Sequence, residues 1–102
     1  MDLKPGSRWK SAVCSTEAVV VRPPSGATVL ECGGHPMLAQ GAERPADLAP
    51  KAGFAAGSGV GKRYLDEDTG LEALCSKSGE GSLSVGGRLL QPKEAKKLPS
   101  SD

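Results

Sequence analysis

A small, mainly β protein is predicted by three features of the sequence. Short β-branched and aliphatic runs recur, glycine- and proline-rich turns separate them, and the prolines of the middle segment close off any helix there. The first run enters at Trp9 and culminates in Val19-Val20-Val21, then stops at Arg22-Pro23-Pro24-Ser25-Gly26, a strand followed by a turn. Ala27 to Cys32 is a second strand ending at Gly33-Gly34, expected to pair with the first as a hairpin. Residues 39–62 are dominated by Ala, Gly and Pro and read as a long flexible loop, with a short helical turn expected around Ala46 to Ala49. Strand character returns over 63–90. Arg63-Tyr64-Leu65 and Leu71 to Cys75 flank an Asp-rich turn, and Leu83 and Val85 share one face of Ser82 to Val85. The segment 91–102 reads as a polar tail.

Composition narrows the options. With 102 residues there is one domain at most, and with one Trp, one Tyr and one Phe against 14 Gly and 8 Pro the core must be built from Val, Leu and Ala. Scaffolds this small usually add a metal, a disulfide or a subunit contact. A net charge of +1 lacks the basic excess that nucleic acid rewards, so no nucleic-acid partner is expected. Met1 to Gly6 has no apolar signal stretch and no run approaches the roughly 20 apolar residues that cross a bilayer, so the expectation is a cytoplasmic chain without a membrane partner. In that setting Cys14, Cys32 and Cys75 read as thiols or metal ligands, or as small buried apolar residues.

A faint internal repeat is visible when Gly26 is set on Gly79, with duplication and a chance match among the 14 glycines as the two readings of it. Gly26 to Gly34 then lies over Gly79 to Gly87, with Leu30 on Leu83 and Cys32 on Val85.

Gly6-Ser-Arg-Trp-Lys-Ser-Ala-Val-Cys14 and Val29-Leu-Glu-Cys-Gly-Gly-His-Pro-Met37 together resemble the two cysteine knuckles of desulforedoxin and of the N-terminal domain of desulfoferrodoxin. The likeness covers residues 6–38, so that 1–38 reads as a degenerate knuckle hairpin. It implies a tetrahedral four-thiolate iron site and a homodimer. Carried over by position, Cys14 and Cys32 match two ligands, whereas Ser11 stands at the first ligand position and Gly33 at the fourth. Serine is a poor ligand near neutral pH and glycine has no side chain, so the standard iron site is not implied. A rebuilt zinc or iron site from Cys14, Cys32, His35 and Cys75 is the alternative, three thiolates and an imidazole being a set that zinc accepts.

Three weaker patterns have plainer readings. Gly57 to Lys62 is similar to a phosphate-cradling loop, but Ala56 replaces its first Gly and Arg63 its Ser or Thr, which favours a linker. Asp66-Glu67-Asp68 lacks EF-hand spacing and suits a turn, and His35 beside Cys32 has no third residue to orient it as a base. The function expected is therefore a non-catalytic binding or accessory module, without a cofactor, acting on a partner protein or as a homodimer. A metal or thiol-redox protein using Cys14, Cys32, His35 and Cys75 is the rival.

Overall fold

In the computed structural model, residues 1–45 and 47–93 are described, and among them there are ten strands and no helix. The strands are β1 (Arg8–Lys10), β2 (Glu17–Arg22), β3 (Leu30–Cys32), β4 (His35–Pro36), β5 (Leu38–Ala39), β6 (Arg63–Leu65), β7 (Glu72–Lys77), β8 (Leu83–Val85), β9 (Arg88–Leu89) and β10 (Gln91–Pro92). They form a six-stranded sheet of order β10-β6-β7-β2-β1-β5 and a four-stranded sheet of order β4-β3-β8-β9, antiparallel throughout. The fold is mainly β, as the runs and turns predict.

Both orders are palindromes, because the chain is two copies of one five-stranded unit. β1 to β5 correspond in turn to β6 to β10. Arg8↔Val19, Trp9↔Ala18 and Lys10↔Glu17 between β1 and β2 recur as Arg63↔Leu74, Tyr64↔Ala73 and Leu65↔Glu72 between β6 and β7. Smaller details repeat as well: Gly6 N–H donates to Val20 O at 2.7 Å and Gly61 N–H to Cys75 O at 2.8 Å, while Met37 N–H and Leu90 N–H reach Leu30 O and Leu83 O at 2.9 and 3.0 Å. The halves meet across a pseudo-twofold axis. In the large sheet Ala18↔Cys75 and Val20↔Ala73 flank the self-equivalent pair Val19↔Leu74; in the small sheet Leu30↔Val85 and Cys32↔Leu83 flank Glu31↔Ser84. The repeat seen in the sequence thus extends over nearly all the strands.

One expectation is corrected. The second strand does not pair with the first as a hairpin, since β2 and β3 lie in different sheets and each takes its partner from the other half. Pro23 and Pro24 have no N–H to offer a ladder, and their segment carries the chain from one sheet to the other. The second hairpin, β6–β7, forms where it was expected. The strands also run two residues past the expected end, because Gln91 and Pro92 pair with Leu65 and Tyr64. Ala46, part of the expected helical turn, and residues 94–102 of the expected tail lie outside the described residues.

The two sheets enclose one core. Ala18, Val20, Ala73 and Cys75 from the large sheet meet Leu30, Cys32, Leu83 and Val85 from the small one, with Leu3, Met37, Tyr64, Leu71 and Leu90 around them. Small residues at the centre of the large sheet let the leucines of the small sheet seat against it, and each buried Leu adds about 2 kcal/mol. The segment 40–62 crosses this body without a strand, yet it is tied to it. Lys51 N–H donates to Gly33 O, Ser82 N–H to Phe54 O, and Ser58 and Gly79 exchange backbone bonds in an isolated bridge. Gly57 to Lys62, read as a linker, leads into the second repeat, where Gly61 (φ 80°) holds the turn that Gly6 (φ 83°) holds in the first half.

In the second half, the β6–β7 turn is pinned by Asp66. Its carboxylate accepts from Thr69 N–H and Oγ1 at 3.2 and 2.7 Å, and receives Arg88 Nε and NH2 at 2.9 and 2.8 Å. The Arg88 bonds, opposed by burial and helped by Thr69, lower its pKa to about 2. A carboxyl depressed in the folded state stabilises the fold above its ordinary pKa and loses that contribution as pH falls through the depressed value. Asp66→Asn is expected to cost about 1–3 kcal/mol near pH 7, with the gap from the parent protein closing between about pH 4 and pH 2. Urea titrations of both proteins across that range measure it, and a pH-independent gap would refute this role for the charge.

Candidate thiol site

The β1–β2 turn is where the first half carries its chemistry. Ser11 N–H donates to Thr16 O at 2.8 Å and closes the loop, just as Asp66 N–H donates to Leu71 O at 2.8 Å in the second half. Ser11 is fully buried, and its Oγ accepts from the N–H groups of Val13 and Cys14, both at 3.1 Å. Serine at the first ligand position of the resemblance therefore serves the backbone, as short hydroxyl side chains do in turns. Cys14 Sγ lies 3.2 Å from both Ser11 Oγ and Thr16 Oγ1, and Gly81 N–H donates to it at 3.3 Å.

Cys32 comes to the same place from β3. Its Sγ is 3.9 Å from that of Cys14, and its surface is fully buried, whereas Cys14 is partly exposed. After it, Gly33 and Gly34, with φ of 65° and 82°, form the two-residue turn that pairs Cys32 with His35. The strap from Gly79 to Gly81 lies over both sulfurs. A Cβ built on Gly79 would stand 3.1 Å from Cys14 Sγ, and one on Gly81 would stand 2.8 Å from Cys32 Sγ, so any larger residue would force the strap off the site.

The electrostatics of the two thiols diverge. Burial pushes the Cys14 thiol up, but hydrogen bonds from the Ser11 and Thr16 hydroxyls and from the Thr16 and Gly81 backbone outweigh it and bring the pKa down to about 7. For Cys32 burial dominates; bonds from Ser11 and Thr16 oppose it, the Cys14 charge adds to it, and the pKa rises to about 12. Cys14 is thus the sulfur that ionises first.

The remaining sequence candidates have other partners, although Cys75 is near enough to Cys14 for the charge of that thiol to add to its raised pKa. Cys75 is buried on β7 with its Sγ–H donating to Lys77 O at 3.1 Å, and burial pushes its pKa up. His35 Nε2 lies 3.0 Å from Ala49 O at the surface. The four-ligand set of Cys14, Cys32, His35 and Cys75 is accordingly not assembled, and among the described residues no group of three or more His, Cys, Asp or Glu stands close enough to hold a metal. The family's own geometry does not fit either. A Cβ on Gly33 would meet Val13 Cγ2 at 2.6 Å and Pro50 at 3.3 Å, and no sulfur is among its nearest neighbours. A fourth thiolate there would have to displace Val13.

Sequence reasoning missed Thr16, Gly79 and Gly81. Their signal lay in the repeat: extended backward, it sets Arg8-Trp9 on Arg63-Tyr64 and Glu17-Ala18 on Glu72-Ala73, which puts Cys14 opposite Thr69 and Cys75 opposite Val20. A polar counterpart sets Cys14 apart from the other two thiols, whose counterparts are both valine.

Comparison with known proteins found no matching family model, no matching curated protein and no matching solved structure. No helix among the described residues is long and apolar enough to cross a membrane.

Gly33→Cys tests the geometry at the fourth ligand position. Overpacking against Val13 and a side chain at positive φ are expected to destabilise the protein by about 2–4 kcal/mol, and Ser11→Cys, Gly33→Cys to take up no iron or zinc on reconstitution under reducing conditions. Parent-like stability with one metal per chain would show that the knuckle closes around four thiolates after all.

Proposed function

We propose that the protein is a non-catalytic accessory module whose active element is a reversible dithiol, Cys14 and Cys32, in a β scaffold. The observation that carries this reading is the 3.9 Å separation of the two Sγ atoms. A disulfide needs about 2.05 Å, so a closure of about 2 Å suffices, and the β1–β2 turn that bears Cys14 has no strand pairing of its own to break. Burial of Cys32 beside a thiol that ionises more readily adds the asymmetry seen in exchange-active pairs. The metal alternative draws no comparable support, since its third and fourth ligands point elsewhere.

The partner half of the proposal shifts with the fold. Self-association through strands is what the desulforedoxin likeness implies, and pairings of that kind already join the two halves through β2–β7 and β3–β8. The strands left at the sheet edges, β4, β5, β9 and β10, are two residues each and offer little for strand addition. These features favour a thiol- or disulfide-bearing partner over a homodimer.

Mild oxidation of the reduced protein is expected to yield a Cys14–Cys32 disulfide with Cys75 left as a free thiol, read by mass mapping after alkylation. The cross-link should raise stability by about 2–3 kcal/mol. If both Cys14 and Cys32 still react with alkylating reagent after oxidation, the pair does not close and the reading fails.

A further inference from the structure

Resting on the dithiol reading, we infer that Cys14 takes up a low-molecular-weight disulfide as a mixed disulfide, and that Cys32 then resolves it. The order follows from accessibility. Cys32 has no exposed surface, being shut in by Gly81 and the backbone of Gly33, and Cys75 lies inside the large sheet. Of the three thiols only Cys14 reaches the surface. It is itself only partly exposed, with Gly79 close to its sulfur and the Ser11–Thr16 turn tied to the segment before Gly79 by Ser15 Oγ donating to Ser78 O at 2.7 Å. A sulfur that is only partly exposed is reached by a small disulfide with less rearrangement than by one held within a folded protein.

The polar groups around Cys14 match the chemistry. Ser11 Oγ, Thr16 Oγ1 and Gly81 N–H gather on Cys14 Sγ, and such groups hold a thiolate before attack. The Cys14 thiolate attacks one sulfur of the disulfide RSSR, a new S–S bond forms, and RS⁻ leaves and takes a proton from water. Cys32 then gives up its proton to solvent, and its thiolate attacks Cys14 Sγ from 3.9 Å away. The Cys14–SR bond breaks and the second RS⁻ departs. The protein dithiol loses two electrons, RSSR gains them, and two RSH are released. The second half has no such route, because Thr69 and Val85 occupy the places of Cys14 and Cys32.

The test uses the reduced full-length chain with oxidised glutathione, followed by intact-mass and peptide mapping. The parent protein is expected to lose two hydrogens, release two glutathione thiols per chain and retain no adduct. Cys32→Ser should stop at one glutathione on Cys14, and Cys14→Ser should stay unmodified over the same period. Brief alkylation of the native parent protein, which needs no variant to fold, should label Cys14 first. Labelling of Cys32 or Cys75 at a matching rate, or a glutathione adduct on either, would overturn the inference, as would reaction with a disulfide-bonded protein but not with glutathione. Diamide separates the two levels of the argument: if it closes Cys14–Cys32 while Cys32→Ser takes no glutathione, the dithiol stands and the order of attack falls.

Discussion

Pairing between the two halves is the constraint on which everything else in this protein rests. Neither half has a sheet of its own that buries a face. β2 and β7 are the central strands of the large sheet, β3 and β8 those of the small one, and in each case the two come from different repeats. The core forms only when both sheets are completed. A core of Val, Leu, Ala and Cys with three aromatics in the whole chain is thin, and the pseudo-twofold doubles what each five-stranded unit can bury. The contribution of a second subunit, which small scaffolds commonly need, is supplied here by the other half of the same chain.

Duplication also provides an internal control on the thiol site. The same turn is built twice, and the backbone closes it in the same way. Its first residue accepts the backbone N–H three residues on in both copies, through Ser11 Oγ at 3.1 Å and Asp66 Oδ2 at 3.2 Å. What differs is the filling. In the second half a charged lock of Asp66 and Arg88 holds the turn against β9, with Asp66 almost fully buried. In the first half the position of Arg88 is taken by His35, which turns to Ala49, and no carboxylate stands at Ser11. The first turn thus lacks the strong ion pair of the second and has two sulfurs in contact distance instead. Stability is concentrated in one copy of the turn and reactivity in the other.

How much of this was legible depends on the range of the signal. Arg63-Tyr64-Leu65, the Asp-rich turn and the alternation of Leu83 and Val85 are local, and the structure keeps them all. Gly33-Gly34 was readable as a turn because few other residues accept two successive positive φ values. Pairing partners were not local. Pro23-Pro24 announces that β2 ends, which fits a hairpin or a crossing between sheets equally well, and only the second copy settles the choice. The edge strands of two residues are too short for any periodicity to register. At the site, the expectation that Cys14 and Cys32 converge came from a resemblance that no comparison supports, whereas His35 was grouped with Cys32 by its two-residue spacing and Cys75 by residue type.

The contrast between Cys32 and Cys75 shows why residue type misleads. Both are fully buried, both sit on inward faces of strands next to the pseudo-twofold axis, and both have valine as their counterpart, Val85 and Val20. By burial and position they are interchangeable core residues, and a free cysteine in such a place is ordinarily an inert small hydrophobe. The difference arises from what faces them. Cys75 Sγ–H finds a backbone carbonyl, Lys77 O. Cys32 faces Cys14, whose own counterpart, Thr69, has turned its hydroxyl to Asp66. The pair therefore rests on two differences between the copies, a thiol for the Thr69 hydroxyl at the turn and a thiol for Val85 on the strand, together with Ser11 and Thr16, whose hydroxyls lie 3.2 Å from Cys14 Sγ where the second copy has Asp66 and Leu71.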